Sequence, residues 1–353
     1  MSLYSLTIRR FLSKDNTATE HKDYIFKYLH SKWEEYFSGN FSLISKLSGE
    51  NYTALNGRYY FKNVFVSNLK TNALYSEHSQ NATSSLSWLI ETSRFENITT
   101  SILQKNSESD VTTGAIYFGY SGNCYFNKCS GIQCFNNVDT DKYYYYGGNF
   151  LTTGASNVKI HFLSLTKCSD DFKGVNSIRF KYGGGTIYAN NITNCKAYSS
   201  VIMNAFPAIV SVTFCMYSSN SVSERSSSRY YITSCYSDEL TFEHCIFTHL
   251  GSGTLFFSSG NSKIFVNNCS FVKNEISTIA NSENSKYVTI RDCYFEESST
   301  NLDPGHIYFD ATNNSILNLY LTKEIIKRIN TKQTKTNLNY EYLIRFNRIH
   351  VRR

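Results

Sequence analysis

Proline is almost missing from this 353-residue chain, with Pro207 and Pro304 as its only two. Such a chain is no polyproline linker, and nearly all of its backbone N–H groups can join a hydrogen-bonded ladder, as a strand-rich stack requires. Long apolar runs are missing too. The best candidate, Val201 to Val212, is broken by Asn204 and Pro207, well short of the roughly 18 residues of a membrane-spanning helix. The first twenty residues, MSLYSLTIRRFLSKDNTATE, lack the apolar core of a secretory leader. Taken literally, the chain is therefore soluble and cytoplasmic. Ten cysteines are present, but no two form a C-x-x-C pair, which removes the commonest zinc and dithiol signatures.

What the chain does have is a repeat. The string Φ-x-Φ-x-x-C-x-Φ, with Φ apolar or aromatic, appears as Leu240-Thr-Phe242-Glu-His-Cys245-Ile-Phe247, as Ile264-Phe-Val266-Asn-Asn-Cys269-Ser-Phe271 and as Val288-Thr-Ile290-Arg-Asp-Cys293-Tyr-Phe295, its cysteines 24 residues apart. Looser copies run toward the N-terminus: Val210 to Tyr217, Ile187 to Ile192, Ile160 to Leu165, Cys124 to Cys129 and Tyr59 to Val66. Phe95-Glu-Asn-Ile98 reads as a degenerate copy. The anchors are then residues 64, 129, 165, 192, 215, 245, 269 and 293, a core period near 23 with insertions. Tyr230 to Cys235 also fits and reads as a neighbouring strand of the same coil. Self-similarity at this period marks a solenoid, in which no unit buries its apolar face alone.

Each copy alternates apolar and polar, takes two polar residues, then alternates again. Period-2 alternation is the signature of a strand with one buried face. The break is rich in Asn (Asn63, Asn127, Asn190, Asn191, Asn267, Asn268), a residue that tolerates the left-handed backbone of a tight corner. Gly114, Gly184, Gly253 and Gly305 precede further short apolar runs and read as a second corner. Three strands and three corners in about 24 residues describe one coil of an all-β, right-handed parallel β-helix. A leucine-rich-repeat solenoid is the alternative. Against it, the apolar positions hold mostly Phe, Tyr, Ile and Val, and the intervening stretches lack helical periodicity.

On coils, Cys215, Cys245, Cys269 and Cys293 stack in register as a row of small buried thiols, about 4.8 Å apart. Cys168 and Cys195 form a second, shorter row. Side chains in such a row point the same way, which favours free thiols over disulfides or a zinc site. Seven N-x-S/T sequons occur, at Asn40, Asn51, Asn81, Asn97, Asn191, Asn268 and Asn313, and do not settle the compartment.

The organisation expected is an N-terminal segment over 1–55, a β-helix over 56–322 and a basic C-terminal tail or cap over 323–353. Residues 20–37, EHKDYIFKYLHSKWEEYF, space aromatics among charges as a short amphipathic helix would, fit to cap the first coil. Residues 321–353 hold nine basic groups against two acidic ones, which accounts for the whole net charge of +7. The remaining chain is neutral, which argues against nucleic acid as its ligand. The basic tail could touch an anionic membrane.

Carbohydrate-active β-helix enzymes need carboxylates clustered on one outward face. The outward position between the first two Φ residues holds Tyr60, Tyr125, His161, Tyr188, Ser211, Thr241, Phe265 and Thr289, and none is acidic. No catalytic residue, metal ligand or cofactor site is assigned, and a polysaccharide lyase or glycoside hydrolase is the alternative to a non-enzymatic scaffold. The row's aromatics, Tyr60, Tyr125, His161, Tyr188 and Phe265, form a candidate ladder for sugar rings or a partner's apolar surface. Cross-strand packing is their structural explanation.

Gly114-Ala-Ile116, Phe65-Val-Ser-Asn68 and Phe271-Val-Lys-Asn274 resemble the GGA(I/L/V) and FxxN repeats of polymorphic outer membrane proteins, over roughly residues 56–322. That resemblance implies a pectin-lyase-like β-helix acting as a non-enzymatic, surface-located, adhesion-type protein that binds glycans or a protein partner. A degenerate fragment without activity is a further alternative.

Overall fold

A computed structural model describes residues 36–309 apart from 37–38, 48–50, 55, 77–85, 102–113, 120–121, 138–147, 169–175, 182, 198–199, 206–207, 223–230, 236–237, 252, 259–261, 277, 283–287 and 296–306. The cap expected over most of 20–37 and the basic tail over 323–353 lie outside the described residues. Within them, no helix is long and apolar enough to cross a membrane.

The described strands stack into three long sheets. The first sheet has eleven strands: Ser42–Ile44, Arg58–Lys62, Ser87–Glu91, Asn123–Asn127, Asn157–His161, Gly184–Tyr188, Ala208–Thr213, Asp238–Glu243, Lys263–Asn267, Val288–Arg291 and Ile307–Phe309. The second runs from Phe65–Ser67 to Tyr294–Phe295 and the third from Tyr52–Ala54 to Thr278–Ser282, with nine strands each. Neighbouring strands are parallel and come from successive turns of the chain. One turn visits the third sheet, the first and then the second, as in Tyr52–Ala54, Arg58–Lys62 and Phe65–Ser67. This is the parallel β-helix solenoid that the repeat implies. Three strands per coil, rather than one strand and a helix, set aside the leucine-rich alternative. Tyr231–Cys235 takes its place in the third sheet, between Met203–Ala205 and Thr254–Ser258.

The inward rows carry the core. Phe61, Ile90, Phe126, Ile160, Ile187, Val212, Phe242, Val266 and Ile290 are all buried, each in register with the next. In the second sheet Tyr217, Phe247 and Phe271 stack, with ring centroids 5.2 and 5.0 Å apart. Each such side chain contributes on the order of 1.5–3 kcal/mol by leaving water. Where the second sheet has Gly131, an added Cβ would lie 2.4 Å from the Phe150 ring. The missing side chain is the space that Phe150 fills.

The corner between the first and second sheets explains the repeat's most characteristic position. One residue there takes a left-handed φ of 48–56°: Asn63, Thr92, Lys128, Phe162, Ala189, Phe214, His244, Asn268 and Asp292. Asn or Asp fills only three of these nine places, so the Asn-rich break is a partial signal. The N–H of the corner residue pairs with a carbonyl of the next coil, as Asn63 does with Glu91 at 3.0 Å and Asn268 with Arg291 at 3.0 Å. The N–H that follows it would be orphaned in the core, and a buried orphan is costly. At five corners a side chain of the next coil takes it instead. Val64 donates to Ser93 Oγ (3.1 Å), Leu163 to Asn190 Oδ1 (2.9 Å), Asn190 to Cys215 Sγ (3.3 Å), Cys245 to Cys269 Sγ (3.3 Å) and Cys269 to Cys293 Sγ (3.4 Å). The same thiols donate back to the carbonyl two residues earlier, as Cys269 does to Asn267 (3.2 Å) and Cys293 to Arg291 (3.1 Å). Seven of the nine anchors are small groups that both accept and donate, as Cys, Ser and Asn do; Val64 and Leu163 are the two aliphatic exceptions.

This geometry corrects the register of two copies. The anchors of the fourth and fifth coils are Leu163 and Asn190, not residues 165 and 192, which lie two positions on and face inward in the second sheet. The pair Gly184-Gly185 accordingly opens a strand of the first sheet rather than the third. A further full copy, Trp88-Leu-Ile90-Glu-Thr-Ser93-Arg-Phe95, forms the second coil with Ser in the cysteine place. At the next corner Cys134, Cys168 and Cys195 stand in equivalent positions, with Asn220 and Asn274 taking over the role in later coils.

Nine cysteines are free and buried. Burial pushes the Cys129 thiol up to about 12, and those of Cys168, Cys195, Cys215 and Cys269 well up, so they stay protonated as hydrogen-bond donors. Cys269→Ala should cost about 1–3 kcal/mol, because it strands the Cys245 amide. Cys269→Ser, which reproduces the arrangement at Ser93, should cost less. Urea unfolding of the two variants measures the order.

Candidate functional site

The five aromatic candidates do not share one row. The central outward row of the first sheet runs, in register, through Leu43, Tyr60, Leu89, Tyr125, Lys159, Thr186, Ser211, Thr241, Phe265 and Thr289. His161 and Tyr188 belong to the next outward row, with Lys62, Glu91, Asn127, Thr213, Glu243, Asn267 and Arg291. The two-residue slip in the fourth and fifth copies produced the false alignment, because a shift of two preserves the face and only changes the row.

Four of the five are buried: Tyr60 is 6% exposed, Tyr125 3%, His161 2% and Tyr188 7%. Only Phe265 is half-buried. The cover over Tyr60 and Tyr125 includes the chain's own N-terminal segment. Phe41 meets the Tyr60 ring edge-on at 5.7 Å, and Tyr36 tilts against the Tyr125 ring at 5.2 Å. Leu89 lies between the two tyrosines and is itself buried. Aromatic pairs of this geometry are worth about 0.5–1.5 kcal/mol each beyond their burial. Tyr36 and Phe41 thus pack on the first sheet, the strand Ser42–Ile44 adds to that sheet's edge, and Tyr52–Ala54 begins the third sheet.

A polar network borders this patch. The Tyr60 hydroxyl donates to Glu91 Oε2, and Asn127 Nδ2 donates to Glu91 Oε1 at 2.9 Å. Asn157 Nδ2 donates to the Tyr125 hydroxyl at 3.0 Å. The ammonium groups of Lys62 and Lys159 stand over the Tyr60 and Tyr125 rings at 5.6 and 5.3 Å. Burial lowers the Lys128 pKa, and Glu91 opposes that shift. Beyond it, Tyr188 anchors an aromatic ridge along the corner. The Phe162 and Phe214 rings meet it at 5.9 and 5.7 Å, and His244 stacks on Phe214 at 5.0 Å. The sequence pattern does not reveal this ridge: Phe162 reads as an inward position of the copy Ile160 to Leu165, and Phe214 and His244 fall in the two-residue break.

From the fifth coil onward the same face opens. Thr186 is exposed, Ser211, Thr241, Phe265 and Thr289 are half-buried, and Ile209 beside them is 62% exposed. Glu91, Asp238, Glu239 and Glu243 each pair in register with non-acidic residues, so among the described residues no two carboxylates are register partners on adjacent strands of this sheet. Among the described residues no group of three His, Cys, Asp or Glu is placed to hold a metal ion. No family model matches the chain, and neither a curated protein nor a solved structure matches it.

His161 carries a pH signature. Burial, then the nearby Lys159 ammonium, push its pKa down from 6.5 to about 4. The unfolded chain binds this proton below pH ~6.5 and the folded chain only below about 4, so stability falls as pH drops through that window. The loss attributable to His161 should reach about 3 kcal/mol. His161→Gln should flatten the pH dependence of urea unfolding between these limits.

Proposed function

We propose that this protein is a non-catalytic β-helix scaffold that binds a partner, glycan or protein, through the outer face of its first sheet, in an adhesion-type role at a surface. The supporting observation is the division of that face. Over the first three coils an aromatic ladder is covered by the chain's own Tyr36 and Phe41. Over coils five to nine the same face is open and flat, with hydroxyls at Thr186, Ser211, Thr241 and Thr289 and apolar groups at Ile209 and Phe265. A flat, periodic surface with scattered apolar anchors suits an extended ligand lying along the stack. The absence of facing carboxylates on this face supports binding over hydrolysis. The loose GGA(I/L/V) and FxxN motifs point the same way.

The double substitution Ile209→Ser with Phe265→Ser should weaken binding to a glycan array or to cells by about tenfold or more, equivalent to ~1.4 kcal/mol. Its melting temperature should stay near wild type, since both side chains stand outside the core. Unchanged binding at unchanged stability would remove this face from the function.

A further inference from the structure

Cys215, Cys245, Cys269 and Cys293 stand in register on successive coils, at the corner between the first and second sheets. All four are buried, and each is close enough to hydrogen-bond with the next. The hydrogen bonds of this corner do not themselves require thiols, because Ser93 and Asn190 serve on other coils. Cys129 performs the same role singly, between Ser93 and Leu163. A run of four neighbouring thiols therefore exceeds what the turn needs. Three of the four sulfurs also accept a backbone N–H: Cys215 from Asn190 (3.3 Å), Cys269 from Cys245 (3.3 Å) and Cys293 from Cys269 (3.4 Å). Such donors favour a thiolate over a thiol. They act against burial, which pushes the Cys215 and Cys269 thiols well up, and a bound cation would remove that penalty.

We propose that the Cys215–Cys245–Cys269–Cys293 row is a binding site for soft monovalent cations of the Cu(I) class, each held between two neighbouring thiols. The spacing selects the coordination. Two metal–thiolate bonds of ~2.3 Å laid end to end span about 4.6 Å, close to the ~4.8 Å between coils. A straight row offers its sulfurs only in pairs, and among the described residues no three His, Cys, Asp or Glu side chains converge on one point. That geometry is wrong for tetrahedral zinc. It suits a cation that takes two collinear ligands and prefers thiolate donors. Binding is an exchange of ions without electron transfer: two S–H bonds break, two sulfur–metal bonds form, and two protons leave to solvent. The row of four thus holds two cations. Because the sulfurs are buried, a cation enters through local opening of the corner, and a chelator removes it equally slowly. The site lies in the core, apart from the outer face to which partner binding is ascribed.

The test titrates the full chain with Ag(I), an air-stable cation of the same class, and counts silver per chain by native mass spectrometry after a brief chelator wash. Cys269→Ser leaves one neighbouring pair, Cys215 and Cys245, and should hold one silver ion fewer than wild type. Cys245→Ser with Cys269→Ser leaves no neighbouring pair in the row and should hold two fewer. Serine already fills this place at Ser93, so the corner bonds survive the change. Cys134, Cys168 and Cys195 at the next corner are untouched in both variants and give a constant background. Silver should also raise the melting temperature of wild type by more than that of the double variant. Equal silver counts in all three proteins overturn the proposal, as does uptake that abolishes cooperative melting. If the double variant does not fold, wild type against Cys269→Ser decides alone. Zn(II) supplies the opposite arm: wild type and double variant should take up equal amounts, and a zinc count lowered by the substitutions would overturn the two-coordinate assignment.

Discussion

The coils of this protein are joined by a hydrogen bond at one corner, seen at five of its nine turns. Turning the chain from the first sheet into the second requires a residue in the left-handed region, and the next amide then points into a core that has no water to receive it. The structure meets this need between coils rather than within them: the acceptor is a side chain of the next turn, whether thiol, hydroxyl or amide. Where a corner is completed by its neighbour in this way, the coil is not finished on its own, and successive turns are coupled. That requirement explains residues that composition alone leaves puzzling. Phe162, Ala189 and Phe214 hold left-handed φ values that such residues rarely adopt, and the pairing of their N–H groups to the following coil helps keep them there.

The outer faces are ruled by a different economy. An outward aromatic on a sheet has two fates, exposure to a ligand or burial under the chain's own flanking segments, and period-2 alternation looks the same in both. Tyr60 and Tyr125 read as a ligand ladder by spacing, yet they are covered by Tyr36 and Phe41. His161 and Tyr188 are buried in the neighbouring row, beside an aromatic ridge on the corner. What remains open is the less conspicuous Ser/Thr stretch with Phe265 and Ile209. The covered and open halves of one face are thus chemically distinct, and the proposed partner-binding role follows that division.

Much of the architecture was legible because the interactions that define a coil are local. In-and-out alternation, the corner and the anchor fall within eight residues, and wherever Cys held the anchor the register came out correctly. It failed where the anchor was Asn190 or Leu163, because Leu165 and Ile192 imitate the pattern two residues later. It also failed at Ser93, because a hydroxyl does not look like a core residue until its hydrogen bonds are seen. The candidate site was less legible: the aromatic positions were recognisable as outward, but neither their rows nor their burial could be read from spacing.

The sequence by itself determined that this chain is a stack of parallel strands, where most coils turn, and which side chains fill the interior, since these follow from steric and hydrophobic patterns a few residues long. Only the tertiary structure decided which degenerate copies align, why a thiol, hydroxyl or amide stands at most anchors, and which outward residues meet water. Those outcomes depend on contacts between residues 24 or more positions apart, such as Cys245 with Cys269 and Tyr36 with Tyr125, and the local sequence pattern carries no record of which partner arrives.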